Sequence, residues 1–435
     1  MKIFWWGLFL IHVAAGLYQI QAEGWRMADS QEYLTVAENV LEHQTCYSAD
    51  MAGNVRMHHY SKRPPLYPFF LLLCQLLFGS PFFICLCQIG ASMGSIWLAW
   101  KIWGLLRPQR PNKRLLLPFL LLYPAQWMYS QLIMTEIMFQ FWVLSMAYLL
   151  LLIHLRQSYV HLWMYTAVLI LSMLTKPVMY LFWVPHLILL VFWAIKWKKI
   201  YVLLPAFLPL LFVVGFSSWN QERTGHFHYS SIQNLSLLQY TTHNLLTQVY
   251  GADSALVLSD SIHYAVLDAE DYASGQQLLQ TSCVGHISDH LFQYSLFHAK
   301  GMINFFLDPG RFDLYHFWGL MEPGEEPGFL AAFSKNGYQG MWQYLQKQAF
   351  FWLLLLLLIA LMNGLKLLGL ILVAWNRHLS WIQKFLLTVF ILYIGTLTGT
   401  SGASRFAIPV FPLLLVCTAL SIEQIKEWKK RLQSS

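Results

Sequence analysis

The chain has 435 residues, of which 57% are apolar and only 11% charged, with a mean hydropathy of +0.47. Soluble domains carry about a quarter charged residues, so a soluble multidomain protein is excluded and an all-α polytopic membrane protein is expected. The net charge of +7 would raise nucleic acid as a partner in a soluble chain; here its sidedness matters more than its sum, and no nucleic-acid partner is implied.

Roughly 20 helical residues cross a hydrocarbon core. In chain order, apolar runs of that size lie near 3–20, 81–105, 115–133, 137–155, 161–175, 178–195, 200–217, 349–375, 385–400 and 406–422, predicting about ten spans. Residues 1–22 have the charge and small residues of a signal peptide, but the aromatic stretch Phe4 to Trp6 and the lack of a cleavage pattern read as an uncleaved anchor. The short run 64–79 opens with two prolines and reads as a helix lying in the outer interface, next to the first outer loop 21–63. Residues 218–348 are too long for a connector. They predict a mostly helical outer lobe, with apolar periodicity in 254–282 and 286–307 and turns at Asp308-Pro309-Gly310 and Glu322-Pro323-Gly324. The expected organisation is thus an N-terminal membrane region 1–217, the lobe 218–348, and a C-terminal membrane region with a basic tail, 349–435. Of the six cysteines, four fall in apolar runs. Only Cys46 and Cys283 lie in polar segments where a bridge is conceivable.

Charge tests this layout. Of 28 basic and 21 acidic residues, the segments assigned to the inside hold 15 basic and two acidic. Lys101 and Lys366 fall within spans, which leaves 11 basic and 19 acidic residues outside. By the positive-inside trend both termini are cytoplasmic.

Polar groups beside a bilayer are costly, so their position is informative. Five sets gather at the outer ends of the spans or in the first outer loop: Asp29 with Tyr33; the run His58, His59, Tyr60, Ser61, Lys62, Arg63; Glu136; Lys176; and Arg405. Asp29 with Glu32 has the spacing of a capping box, a role compatible with that of an oriented general base. Lys62 and Arg63 either snorkel to headgroups or grip a lipid phosphate. Glu136 reads either as a turn acid or as a second site carboxylate. Lys176 and Arg405 are outer cations in very short turns, against the positive-inside trend, and suggest an anionic ligand. His58, His59, His226 and His228 do not complete a metal-ligand spacing.

Taken in order, Ala28-Asp29-Ser30 with Glu32-Tyr33-Leu34, Arg63-Pro64-Pro65-Leu66-Tyr67-Pro68, Thr135-Glu136, Leu174-Thr175-Lys176-Pro177 and Ser404-Arg405-Phe406-Ala407-Ile408-Pro409 resemble the GT-C superfamily of integral-membrane glycosyltransferases. The similarity is to bacterial relatives of protein O-mannosyltransferases and of the lipid A aminoarabinose transferase. It runs from the first span through Pro185 and returns at Ser401 to Pro412. The resemblance implies a GT-C fold in a bacterial inner membrane and an outward-facing active site. It further implies transfer of a sugar, with inversion, from a polyprenyl (undecaprenyl) phosphate carrier to a glycan, lipid or protein acceptor. Asp29 would be the base and Glu136 a second catalytic acid. Lys62, Arg63, Lys176 and Arg405 would hold the lipid phosphate, with Tyr33, His58, His59 and Tyr60 near the substrate. The motifs require no cofactor and leave room for a divalent ion. O-mannosyltransferases carry Asp-Glu where this chain has Asp29-Ser30, which points away from protein mannosylation. The alternatives are a transporter or flippase of lipid-linked sugars and an outward-facing acyl or phosphoryl transferase.

Overall fold

A computed structural model describes residues 2–22, 24–106, 123–320, 329–347 and 350–434. Every regular element among them is helical. The basic residues at 107–114, the start of the expected span 115–133 and the turn expected at Glu322-Pro323-Gly324 lie outside the described residues.

Among the described residues, seven helices are long and apolar enough to cross a membrane: Ile3–Ala22, Pro81–Leu106, Glu136–Arg156, Pro177–Trp197, Ile200–Thr224, Phe350–Val373 and Ser404–Lys429. The protein is therefore an integral membrane protein with an all-helical fold. Three further apolar helices, Leu66–Phe78, Tyr159–Thr175 and Trp381–Leu397, are shorter. The lone lysine of the span Phe350–Val373, Lys366, is accommodated over the rings of Tyr123 and Phe411, 4.1 and 4.4 Å from their centroids.

The run expected to cross at 115–133 does not continue as a helix to its end. A single turn, Pro124–Met128, gives way to irregular backbone through Thr135. Buried non-helical backbone needs partners, and polar side chains supply them. Gln88 Nε2 donates to the carbonyls of Ser130 and Leu132 at 3.2 and 2.9 Å, and Ser30 Oγ donates to that of Ile133 at 2.8 Å. Gln131 Nε2 donates to the carbonyl of His12 at 3.0 Å, tying the same segment to the first helix. This bracing fixes the point at which the helix Glu136–Arg156 begins.

A small core of Tyr33, Ala37, Tyr67, Leu71, Cys74, Ile84 and Ile133 seats the helices Ala28–His43 and Leu66–Phe78 on that braced segment. The segment 254–282 is split in two, Ala252–Leu267 and Tyr272–Asp289, because Asp271 caps the second helix by accepting from Ser274 N at 2.7 Å. Leu238, Ile262, Leu279 and Cys283 give this part a core of its own. Cys46 and Cys283 are both free thiols. The next helix, Leu291–Leu307, packs into the bundle: a Cβ on Gly301 would overlap the Gly399 carbonyl, so backbone meets backbone there. The turn at Asp308-Pro309-Gly310 is present, with Gly310 left-handed at φ +72°.

Candidate functional site

The polar residues scattered along the sequence meet at one end of the bundle. Asp29 lies in the first turn of Ala28–His43, Arg63 just before Pro64, Glu136 at the first position of its helix, Lys176 after the last residue of Tyr159–Thr175, and Arg405 in the turn Ser404–Ala407. Three carboxylates organise four cations. Glu32 accepts from Lys62 Nζ and from Arg63 Nε, both at 2.7 Å. Glu136 Oε1 accepts from Lys176 Nζ at 3.0 Å and from Arg405 Nε at 2.6 Å. Asp29 bridges the two halves, with Oδ1 2.7 Å from Arg63 Nη2 and Oδ2 2.5 Å from Arg405 Nη2. Four cations against three carboxylates leave this ion-paired set at +1.

Glu136 is completely buried, and its Oε2 has no partner among the described residues. It holds Lys176 and Arg405 from behind and is not among the cavity-lining residues, so it acts on the site as a positioning residue. Tyr33 is buried edge-on against Tyr67, its hydroxyl accepts from Arg63 Nη1 at 3.3 Å, and the guanidinium lies 4.8 Å from its ring centre. Burial alone would raise the Asp29 pKa, but the charges and hydrogen bonds of Arg63 and Arg405 outweigh it and hold the carboxyl well below the usual range.

Asp29 does not cap its helix. The helix starts at Ala28, so the cap position is Met27, whose N–H donates to Ser30 Oγ at 2.8 Å, and both Asp29 oxygens are paired with arginines instead. His58, His59 and Tyr60 are not brought to the cavity. They form the short turn Met57–Tyr60, where His59 Nδ1 pairs with Ser48 Oγ at 2.9 Å and Tyr60 packs on Tyr47. Burial, followed by the neighbouring His59 and Lys62, pushes His58 down to about 4, and burial likewise lowers His59.

The ion-paired set opens on a cavity of about 740 Å³. Asp29, Tyr33, Lys62, Arg63, Lys176 and Arg405 line one side; Phe139, Val178, Leu181, Ile394, Leu397 and Phe406 add apolar surface. A further wall, not singled out in the sequence, comes from Gln233, Ser236, Tyr240 and Asn244. These are ordinary polar residues on a helical run, without a signal in the sequence; Tyr240 lies in the π-helical turn Leu237–Thr242, a feature frequent at functional sites. Chemically, the arrangement can hold an anion on preplaced N–H donors beside a carboxylate, with room for an apolar chain. Among the described residues no group of three His, Cys, Asp or Glu side chains is placed to hold a metal ion.

Comparison of the chain with protein-family models, curated proteins and solved structures finds no match.

Proposed function

We propose that this protein is an inverting glycosyltransferase of GT-C type that moves a sugar from a polyprenyl-phosphate carrier to an extracytoplasmic acceptor. The observation that carries the reading is the gathering of Lys62, Arg63, Lys176 and Arg405 with Asp29 around one cavity with partly apolar walls. A polyprenyl-phosphate sugar is a phosphodiester bearing one negative charge, which matches the +1 of the ion-paired set. As the glycosidic bond breaks, the departing phosphate gains charge and the preplaced guanidinium and ammonium groups stabilise it. Among the described residues, Asp29 is the one carboxylate that lines the cavity. That suits a single displacement with one base, which inverts the anomeric carbon; a covalent double displacement uses two carboxyl groups about 5 Å apart.

The direction of the helices supports an outward site. Glu136–Arg156, Pro177–Trp197 and Ser404–Lys429 each start at the cluster and run to ends rich in basic residues, Arg156, Lys196 with Lys198 and Lys199, and Lys426 with Lys429. The acyl-transferase alternative looked to His58 and His59, which lie away from the cavity.

The test uses purified full-length protein in nanodiscs. Radiolabelled polyprenyl phosphate should bind saturably, more weakly at high salt, and at least about tenfold more weakly in Arg405→Ala, the loss of one charge-assisted contact. No binding to folded protein would end the proposal.

A further inference from the structure

The second wall of the cavity has a chemistry of its own. Gln233, Ser236, Tyr240 and Asn244 lie on the helical run from Ile232 to Tyr250 and line the same cavity as the arginines. The side-chain polar atoms of Gln233, Ser236 and Tyr240 bond no protein group among the described residues. Asn244 Nδ2 donates to the Tyr240 carbonyl at 2.7 Å, which leaves its Oδ1 as an acceptor. An amide, an aliphatic hydroxyl, a phenol and an amide oxygen therefore offer mixed donors and acceptors, all uncharged.

This wall is fixed between the two arms that carry the arginines. At its root, Ser230 Oγ donates to the carbonyl of Ser61 at 2.9 Å and Ser231 Oγ to that of His58 at 2.6 Å, the segment that leads into Lys62 and Arg63. Further along, Thr241 Oγ1 lies 3.1 Å from Thr400 Oγ1, in the loop that leads into Arg405. A group joined directly to a phosphate held by Arg63 and Arg405 is thus delivered to this wall.

Charge then selects the group. A cationic amino sugar would need a carboxylate beside it, and none of the four side chains of this wall carries one; Asp29 belongs to the ion-paired set that meets the phosphate. An acidic sugar would find no cation on this wall either: the cavity's cations, Lys62, Arg63, Lys176 and Arg405, all belong to the ion-paired set. We infer that Gln233, Ser236, Tyr240 and Asn244 form the surface that reads the donor's sugar, and that this sugar is uncharged, presenting hydroxyl or acetamido groups. The inference rests on the polyprenyl-phosphate reading above and names the substrate class of the same site.

Binding to the full-length protein in nanodiscs is measured for bare C15 polyprenyl phosphate and for the same lipid phosphate carrying glucose, galactose, mannose, N-acetylglucosamine or a 4-amino-4-deoxypentose. At least one neutral glycosyl donor should bind about tenfold or more tightly than the bare phosphate, as a few uncharged hydrogen bonds would give. Gln233→Leu with Tyr240→Phe should abolish that gain and leave the bare phosphate unaffected. Asn244→Asp, which places a carboxylate on the wall, should shift preference towards the amino sugar. The inference is overturned if the amino sugar binds best to the unaltered protein, if the double variant retains the gain or weakens both ligands alike, or if Asn244→Asp leaves the preference unchanged. Absence of binding by the bare phosphate would overturn the donor reading itself, and this inference with it.

Discussion

Replacing Asp29 by Asn should abolish transfer and yet tighten the grip on lipid phosphate. In the resting site the N–H groups that a phosphate would use are already spent on Asp29, one arginine on each oxygen, at 2.7 and 2.5 Å. As the proposed base, Asp29 would be poor until a donor arrives: its carboxyl is held well below the usual range by the same two arginines, which outweigh the effect of burial. A phosphate that draws one arginine away both binds and raises the basicity of Asp29. Asn removes the competing charge and takes the ion-paired set from +1 to +2. Two unit charges about 4 Å apart interact by about 4 kcal/mol at an effective dielectric of about 20. The Asp29 side chain is 26% exposed, and the Asn amide still accepts a hydrogen bond, so about a third of that figure should survive. That is about 1.4 kcal/mol, or about tenfold in affinity. Removal of a general base costs about 10²- to 10⁴-fold in rate. Calorimetric titration of polyprenyl phosphate into wild type and Asp29→Asn, paired with release of polyprenyl phosphate from a glycosyl donor, reads both numbers. Unchanged or weaker phosphate binding in a folded variant would refute the competition argument; retained turnover would refute the base.

Glu136→Gln should lower stability by about 3 kcal/mol, because it leaves Lys176 without its carboxylate beside Arg405, which keeps Asp29 alone; thermal melts of Glu136→Gln, Lys176→Met and the double variant should show the double variant less damaged than the sum of the singles. Gly301→Ala should push the helix Leu291–Leu307 off the Gly399–Gly402 loop and so displace Arg405, seen as a lower melting temperature and at least about tenfold weaker binding of lipid phosphate. His58 stays neutral in the folded protein down to about 4, whereas the unfolded chain protonates it near about pH 6.5, so stability should rise with pH across that interval. Melting temperature followed from pH 7.5 to 5 should fall, and His58→Gln should flatten the slope. Asp29 acts in another window: with its folded pKa depressed, its contribution is intact above about pH 4 and lost only below.

How much of this could be read from the sequence depends on what each signal measures. Hydropathy detects sustained apolar runs, and the long helices such as Pro81–Leu106 and Phe350–Val373 answer to it directly. It does not detect whether an apolar segment is helical. The stretch before Glu136 is as buried as a span, but its backbone is satisfied by Gln88 and Ser30, and those partners lie 42 to 103 residues away. The same limit explains Asp29. Its spacing to Glu32 fits a cap, while what claims the carboxylate is Arg63, 34 residues on, and Arg405, 376 residues on. His58 and His59 drew notice as a rare adjacent pair, yet a pair of rings packs as readily as it binds.

Lys176 and Arg405 are legible because outer-side cations in short turns oppose the positive-inside trend, and Asp29 and Glu136 because they stand at the outer ends of spans or in the first outer loop; Glu32, which holds Lys62 and Arg63, reads only as part of a capping box. The pairing pattern has a physical reason. Four uncompensated cations gathered around one cavity would repel one another and drift towards water. Glu32 binds Lys62 to Arg63, Glu136 binds Lys176 to Arg405, and Asp29 joins the two couples. Glu32 and Glu136 can keep their partners whether or not a ligand is present, so the donors stay preorganised. Asp29 is the carboxylate that lines the cavity, and the one whose partners an incoming phosphate can take. On the function proposed above, donor binding would break the bridge without dismantling either couple, and would free the carboxylate that the proposal casts as the base.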